Sequence, residues 1–250
     1  MIFPKLLLDI PIAHRALHDV MNGRPENSIA AATAAIEHGY SIEIDLQLSK
    51  DGVPMVFHDY SLERLTYAVG AVAQRTAREL GAICLMHGAE GISTLEDFLK
   101  FIDGRAALLI ELKDQDGALG SNVGALEQAV CAVLKNYKGP VALMSFNPHS
   151  IAKCAELAPD IPRGLATSTF QGKNWLFVPE ARRMELAGIP DYDRVGACFI
   201  SHSAMHLENA AVSYRKKQGA TILCWTVQSS IVEELAREVA DNITFEGYLA

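Results

Sequence analysis

The chain has 250 residues, half of them hydrophobic and 21% charged, with a formal net charge of −8. That is enough chain to bury the core of one barrel-sized domain. The acidic balance argues against a broad basic surface for nucleic acid or anionic membrane, but it permits a phosphate ligand, because one cation and one arginine reverse the field inside a cleft.

In chain order, the first segment, MIFPKLLLDIPIAHRA, is interrupted by Lys5, Asp9 and two prolines and lacks the charged start and long apolar run of a leader. No stretch offers the roughly 20 apolar residues that span a bilayer. The five cysteines, Cys84, Cys131, Cys154, Cys198 and Cys224, form no C-x-x-C pair, as expected of free thiols in a reducing compartment. A cytoplasmic protein without stable membrane association is therefore expected. Strands are expected at 10–15, 41–48, 106–113, 141–146, 163–166, 197–201, 221–226 and 242–245, and helices at 28–38, 94–102, 123–136, 148–157, 179–187, 207–218 and 229–239. Strands alternating with helical crossovers predict an α/β protein, a (β/α)8 barrel of TIM type rather than an open sheet, with residues 1–250 as one catalytic domain. One stretch breaks the alternation. Asp51-Gly52 sits between two β-patterned runs and predicts a hairpin, and pairing Lys50 with Val53 sets His58 opposite Asp45. Residues 59–93 then form a small insertion, a lid-like excursion over one end of the barrel.

Chemistry concentrates near the expected strand ends. In SIEIDLQL, polar and apolar residues alternate, so Glu43 and Asp45 share one face about 6 to 7 Å apart, close enough to grip a hard cation. A half-exposed strand with its polar face in water fits the same pattern. The run AALLIELK is apolar until Glu111 and Lys113, and late-strand charges are what the catalytic face of a barrel supplies. Three carboxylates without a Cys or His cluster favour one divalent cation of the oxygen-loving kind, magnesium or calcium. His14 and Arg15 end the first expected strand. Two imidazoles, His14 and His58, can exchange protons near neutral pH, and the fork of Arg15 suits phosphate. Lys113 adds a second positive charge or is an exposed strand-end cation. Trp225 either walls the pocket or packs in the core, and His202, after the strand ACFIS, is a further candidate.

The ordered set His14-Arg15, Pro25-Glu26-Asn27, Glu43-x-Asp45, Lys50-Asp51-Gly52 leading to His58-Asp59, Arg64-x-Thr66, Glu111-x-Lys113 and Trp225-Thr226 resembles the glycerophosphodiester phosphodiesterases, most closely their compact bacterial members. The resemblance implies a TIM barrel that hydrolyses glycerophosphodiesters to glycerol 3-phosphate and an alcohol. It implies Glu43, Asp45 and Glu111 as cation ligands and His14 and His58 as base and acid. Arg15 becomes the phosphate clamp, with Glu26 orienting a site residue and a cyclic phosphate as intermediate. The chain departs from the family pattern at Ala16, where glycine is usual, at Leu109, where asparagine is common, and at Phe245-Glu246, which replaces a Thr-Asp ending. Cleavage of intact or lyso-phospholipids by the same cyclising chemistry, or a barrel that only binds a phosphodiester, are the competing readings.

Overall fold

The computed structural model describes residues 3–250. Eight parallel strands close on themselves: β1 (Ile12–Ala13), β2 (Ser41–Leu48), β4 (Leu108–Leu112), β5 (Val141–Ser145), β6 (Arg163–Thr167), β7 (Phe199–Ser203), β8 (Thr221–Val227) and β9 (Asn242–Phe245), which pairs back onto β1. Seven helices form the crossovers: α2 (Ile29–Glu37), α4 (Leu95–Ile102), α5 (Ala125–Leu134), α6 (Pro148–Leu157), α7 (Glu180–Ala187), α8 (Ala210–Lys217) and α9 (Ser230–Arg237). Several start on caps written in the sequence. Ser28 accepts from Ala31 N, Thr94 from Asp97 N and Ser229 from Val232 N, each satisfying a first-turn amide that has no partner within its helix.

Two apolar layers hold the barrel. Outward side chains such as Ile42, Ile44 and Leu46 pack on Ala31, Ala35, Phe98 and Ile102 of the helices. Inside, Leu109, Ala142, Met144, Ala166, Phe199 and Leu223 fill the barrel. The N-terminal apolar segment joins this inner layer: α1 (Leu6–Asp9) sets Leu7 into it, and Asn242 Nδ2 donates to the carbonyls of Leu7 at 2.9 Å and Ile10 at 2.7 Å. Strand β1 is accordingly shorter than expected, bounded by α1 on one side and a turn at Arg15 on the other. The alternation in β2 does not mark a wet face. Glu43, Asp45 and Gln47 are 1%, 1% and 2% exposed, because the polar side of the strand faces the barrel mouth and not bulk water.

The hairpin forms, one residue out of the expected register. Gly52 N donates to Ser49 O and Ser49 N to Val53 O, both at 3.0 Å, so the loop is residues 50–52, with Gly52 at φ +79° closing it. In this three-residue loop the left-handed glycine is required, whereas the two-residue turn would have paired Lys50 with Val53. Leu48 therefore pairs with Pro54 and Leu46 with Val56 of β3 (Pro54–Val56), and Asp45 accepts from the amide of Phe57 at 3.0 Å instead of facing His58. His58 still reaches the site because the chain leaves the ladder after Val56, and Gln47 Nε2 fixes its carbonyl at 3.0 Å. A Cβ at position 52 meets nothing within 4 Å. Gly52→Ala should thus cost only the left-handed backbone penalty, about 1 to 2 kcal/mol in a urea melt, with kcat unchanged. A stability unchanged within error would show that the loop rearranges freely.

Residues 59–93 include one short helix, α3 (Ala77–Gly81), capped by Thr76 and Glu79, and a core of their own in which Leu62, Val72, Leu80, Leu85 and Ile92 bury against Met55 and Phe57. The excursion thus carries the chain away from β3 and back to α4 around a separate apolar cluster. Among the described residues, no helix is long and apolar enough to cross a membrane.

Candidate active site

The carboxylates gather first. Asp45 and Glu111 are register neighbours across β2 and β4, and Glu43 lies two residues before Asp45 on the same inward face. Ligand oxygens of Glu43, Asp45 and Glu111 all lie within 4.8 Å of one another. Leu109, fully buried beside Glu43, puts an apolar floor under them. Burial, and then repulsion from Asp45 and Glu111, push the Glu43 carboxyl well above the usual carboxylate range. Burial works on Asp45 the same way, but His58, Lys113, Arg15 and the Asn27 amide outweigh it and hold Asp45 low. Three buried carboxylates, one of them unable to ionise comfortably, are the donor set and the charge deficit of a hard divalent cation, so the residues present fit one.

Cationic groups close the ring. Lys113 Nζ stands 2.7 Å from Glu111 and 3.4 Å from Asp45; it is half-buried and paired, not a free strand-end charge, and its two carboxylates keep it protonated against desolvation. Arg15 donates its amide to Glu43 at 2.8 Å and its NH1 to Glu26 at 2.8 Å, while its Nε lies 3.5 Å from Asp45. Glu26 stands behind Arg15 and not on the pocket wall, and its two oxygens take Arg64 NH1 and NH2, both at 2.8 Å. The turn that delivers Arg15 is tight: Arg15, Ala16 and Asn27 all have positive φ, at +51°, +63° and +58°. Position 16 thus has the left-handed backbone that favours glycine, which Ala16 adopts at some conformational cost while burying its methyl.

Each imidazole is held from behind by a carboxylate. His14 Nδ1 lies 2.6 Å from Glu246 Oε2, and His58 Nδ1 lies 2.6 Å from Asp59 Oδ1. The hydrogen bond from His14, above all, keeps Glu246 far below its ordinary value. In Asp59, bonds from His58 and Arg64 overcome the opposing effect of burial. Ionised carboxylates only accept, so Nδ1 carries a proton in both rings and Nε2 is the nitrogen left for other partners. Burial, partly offset by Glu246, lowers the pKa of His14 and favours its neutral ring.

These groups line one cleft of about 100 Å³: His14, Arg15, Glu43, Asp45, His58, Glu111 and Lys113, with Met144, Phe146, Trp225, Thr226 and Thr244 as the remaining wall. Trp225 donates Nε1 to Ser201 O at 3.1 Å and meets Phe146 edge to face at 5.3 Å, so it packs and lines at once. His202 is elsewhere. It shares the outward face of β7 with Ile200, bonds Thr167 through Nδ1 at 2.7 Å, and is buried and neutral with its pKa lowered to about 4.

The structure fits a known family. A family model described as the glycerophosphoryl diester phosphodiesterase family matches residues 14–242. The chain belongs to that family. Its relatives include a glycerophosphodiester phosphodiesterase of Caldanaerobacter subterraneus subsp. tengcongensis, 29% identical over 242 residues that make up 93% of this chain and 91% of the relative. A solved phosphodiesterase of Oleispira antarctica, in complex with the product sn-glycerol-3-phosphate, matches with a TM-score of 0.76 and 25% identity over 95% of this chain and 93% of its own. The glycerophosphodiester phosphodiesterase of Thermotoga maritima shares the fold at a TM-score of 0.69 and 21% identity, over 94% of each chain.

Four groups around this phosphodiesterase's cleft had no role assigned from sequence. Asn27 clasps Asp45 at both ends, donating Nδ2 to Oδ2 at 3.0 Å and accepting from its amide at 3.1 Å. Asp59 and Arg64 brace His58 and Glu26, and Glu246 braces His14. Asn27, Asp59 and Arg64 were visible only as neighbours of stronger motifs. Glu246 stood out as a departure, and its position against His14 gives that departure a physical role. Glu246→Gln can present an amide N–H to Nδ1 and so reverse the tautomer. It should lower kcat by about 10², with KM little changed, since the wrong tautomer alone costs about 10⁴ in a serine-protease triad. A KM increase with kcat intact would remove Glu246 from the acid-base apparatus.

Proposed function

We propose that the chain cleaves water-soluble glycerophosphodiesters to glycerol 3-phosphate and an alcohol, with Glu43, Asp45 and Glu111 holding one divalent cation, magnesium or calcium, and His14 and His58 moving the protons. The observation that carries this reading is the pair of imidazoles on the cleft wall, each held at Nδ1 by its own carboxylate, beside three buried carboxylates. When bound, the cation would neutralise phosphate oxygens and stabilise the charge that builds in the transition state. Arg15 and Lys113, both on the cleft wall, would grip the phosphate. The neighbouring glycerol hydroxyl attacks phosphorus; His14, neutral through burial, takes its proton at Nε2, and His58, entering as the doubly protonated ring held by Asp59, gives its Nε2 proton to the departing alcohol oxygen. The cyclic phosphate so formed is opened by water with the two roles reversed, and both rings return to their starting state. The excursion 59–93 serves as an insertion within one catalytic domain spanning 1–250, supporting His58 through Asp59 and Arg64 and acting as a lid over the cleft.

The direct test is release of glycerol 3-phosphate from glycerophosphocholine and glycerophosphoethanolamine, with and without a chelator, following phosphorus by NMR. Activity that is lost on chelation and returns with magnesium or calcium, together with a transient cyclic phosphate, is the expected outcome. Full turnover after thorough chelation would defeat the cation assignment. One observation favours a second substrate class. Aromatic contacts run from Trp225 to Phe146, from Phe146 to Trp175 at 5.0 Å and on to the exposed Phe177 at 6.4 Å, which is the kind of path an apolar tail could follow. Faster cleavage of micellar lysophospholipid than of the soluble diesters would establish that reading instead.

A further inference from the structure

Behind His14 lies a second set of donors of a different kind. Glu246 Oε2 stands 2.6 Å from His14 Nδ1 and 3.4 Å from His18 Nε2, and one donor atom from each of the three residues lies within 4.8 Å of the others. His18 Nε2 is buried and makes no hydrogen bond, although the rest of this network is satisfied. The other oxygen of Glu246 accepts from Gln228 Nε2 at 2.7 Å, the outer partner that fixes a carboxylate for ligation.

We propose that His14, His18 and Glu246 form an inhibitory site for a borderline transition metal, zinc above all, distinct from the three-carboxylate site. Two imidazoles and one carboxylate are a zinc donor set, whereas magnesium and calcium prefer oxygen alone. At ligand bonds of 2.0 to 2.1 Å, tetrahedral donors stand about 3.3 Å apart. The His18–Glu246 separation already meets that spacing. The His14–Glu246 separation needs to open by roughly 0.7 Å, as the proton between the two atoms gives way to the metal. That proton moves to Nε2, since a neutral imidazole bound through Nδ1 must carry its hydrogen on the other nitrogen. The ring is then fixed in the tautomer that cannot accept a proton from the pocket. Zinc would therefore switch His14 off without touching the phosphate subsite or the three carboxylates. The inhibitory consequence rests on the role given to His14 above; the binding itself does not.

The test uses the whole chain with magnesium in large excess, so that the carboxylate site is filled. Zinc binding is measured by competition with a chromophoric chelator, cobalt is used as a spectroscopic stand-in, and turnover is followed in parallel. The expected results are one zinc bound that magnesium does not displace, visible bands of four-coordinate cobalt, and inhibition that extra magnesium does not relieve. His18→Gln, which keeps its magnesium-supported turnover and is therefore folded, should weaken zinc binding and inhibition together by at least about tenfold, the lower end of what even an outer-shell partner is worth. Zinc that magnesium displaces, or affinity unchanged in His18→Gln, overturns the site. Zinc bound as described with turnover undiminished upholds the site and removes His14 from proton transfer.

Discussion

His14→Gln and His58→Gln enzymes should each fold normally and turn over about 10² to 10⁴ times more slowly than the parent, with KM within a few-fold. Both rings sit at the pocket edge, and neither belongs to the apolar layers that hold the barrel, so their loss removes proton transfer and little else. The two variants should part on the choice of leaving group. A nitrophenolate needs no proton to depart, so a nitrophenyl diester should restore much of the loss in His58→Gln and little of that in His14→Gln. The double variant should lose less than the product of the single losses, because both rings serve one concerted transfer and their contributions are not additive. Equal rescue of both single variants would mean that the roles of acid and base are not divided as proposed. Retention of full kcat by either would remove that ring from the mechanism.

Much of this site was legible because strand geometry is simple. A period of two places Glu43 and Asp45 on one face whatever the fold, and a buried apolar run that turns charged at its end announces Glu111 and Lys113. Parallel register then brings Asp45 beside Glu111, a long-range pairing that spacing alone does not fix. The hairpin was visible from Asp51-Gly52, but its register was not. A dipeptide that suits a two-residue turn also suits the last two places of a three-residue loop, and the choice moves every partner by one. The ends of β1 and the position of α1 depended on what the barrel floor needed, namely an apolar plug at Leu7, which local propensity does not encode. The bracing carboxylates were the least visible. Glu246 and His14 meet across 232 positions of sequence, and only closure of β9 onto β1 makes them neighbours.

Glu43→Gln should separate stability from catalysis most sharply. The Glu43 carboxyl is pushed upward by burial and by Asp45 and Glu111, so without a cation its ionised form is disfavoured in the folded chain. The sign follows from linkage. A carboxyl whose folded pKa is raised favours folding while protonated, and that contribution is lost as pH rises through the folded value. The chelated parent should therefore lose stability from this group as pH rises above the ordinary carboxylate range. Glu43→Gln removes that dependence and can still accept from the Arg15 amide, which donates to Glu43 at 2.8 Å. In chelator near neutral pH, the variant should melt above the parent. Cation at a hundred times its Kd should stabilise the parent by about 2.7 kcal/mol, a Tm rise of roughly 5 to 11 °C for a chain of this size, and the variant by much less. Its kcat/KM should nonetheless fall by about 10³ or more, the magnitude expected when roughly 4 kcal/mol of transition-state stabilisation is withdrawn. A variant that melts below the parent in chelator, or that gains as much from cation as the parent does, would show that the charge on Glu43 is compensated within the protein and that no cation is needed to explain three carboxylates in one buried place.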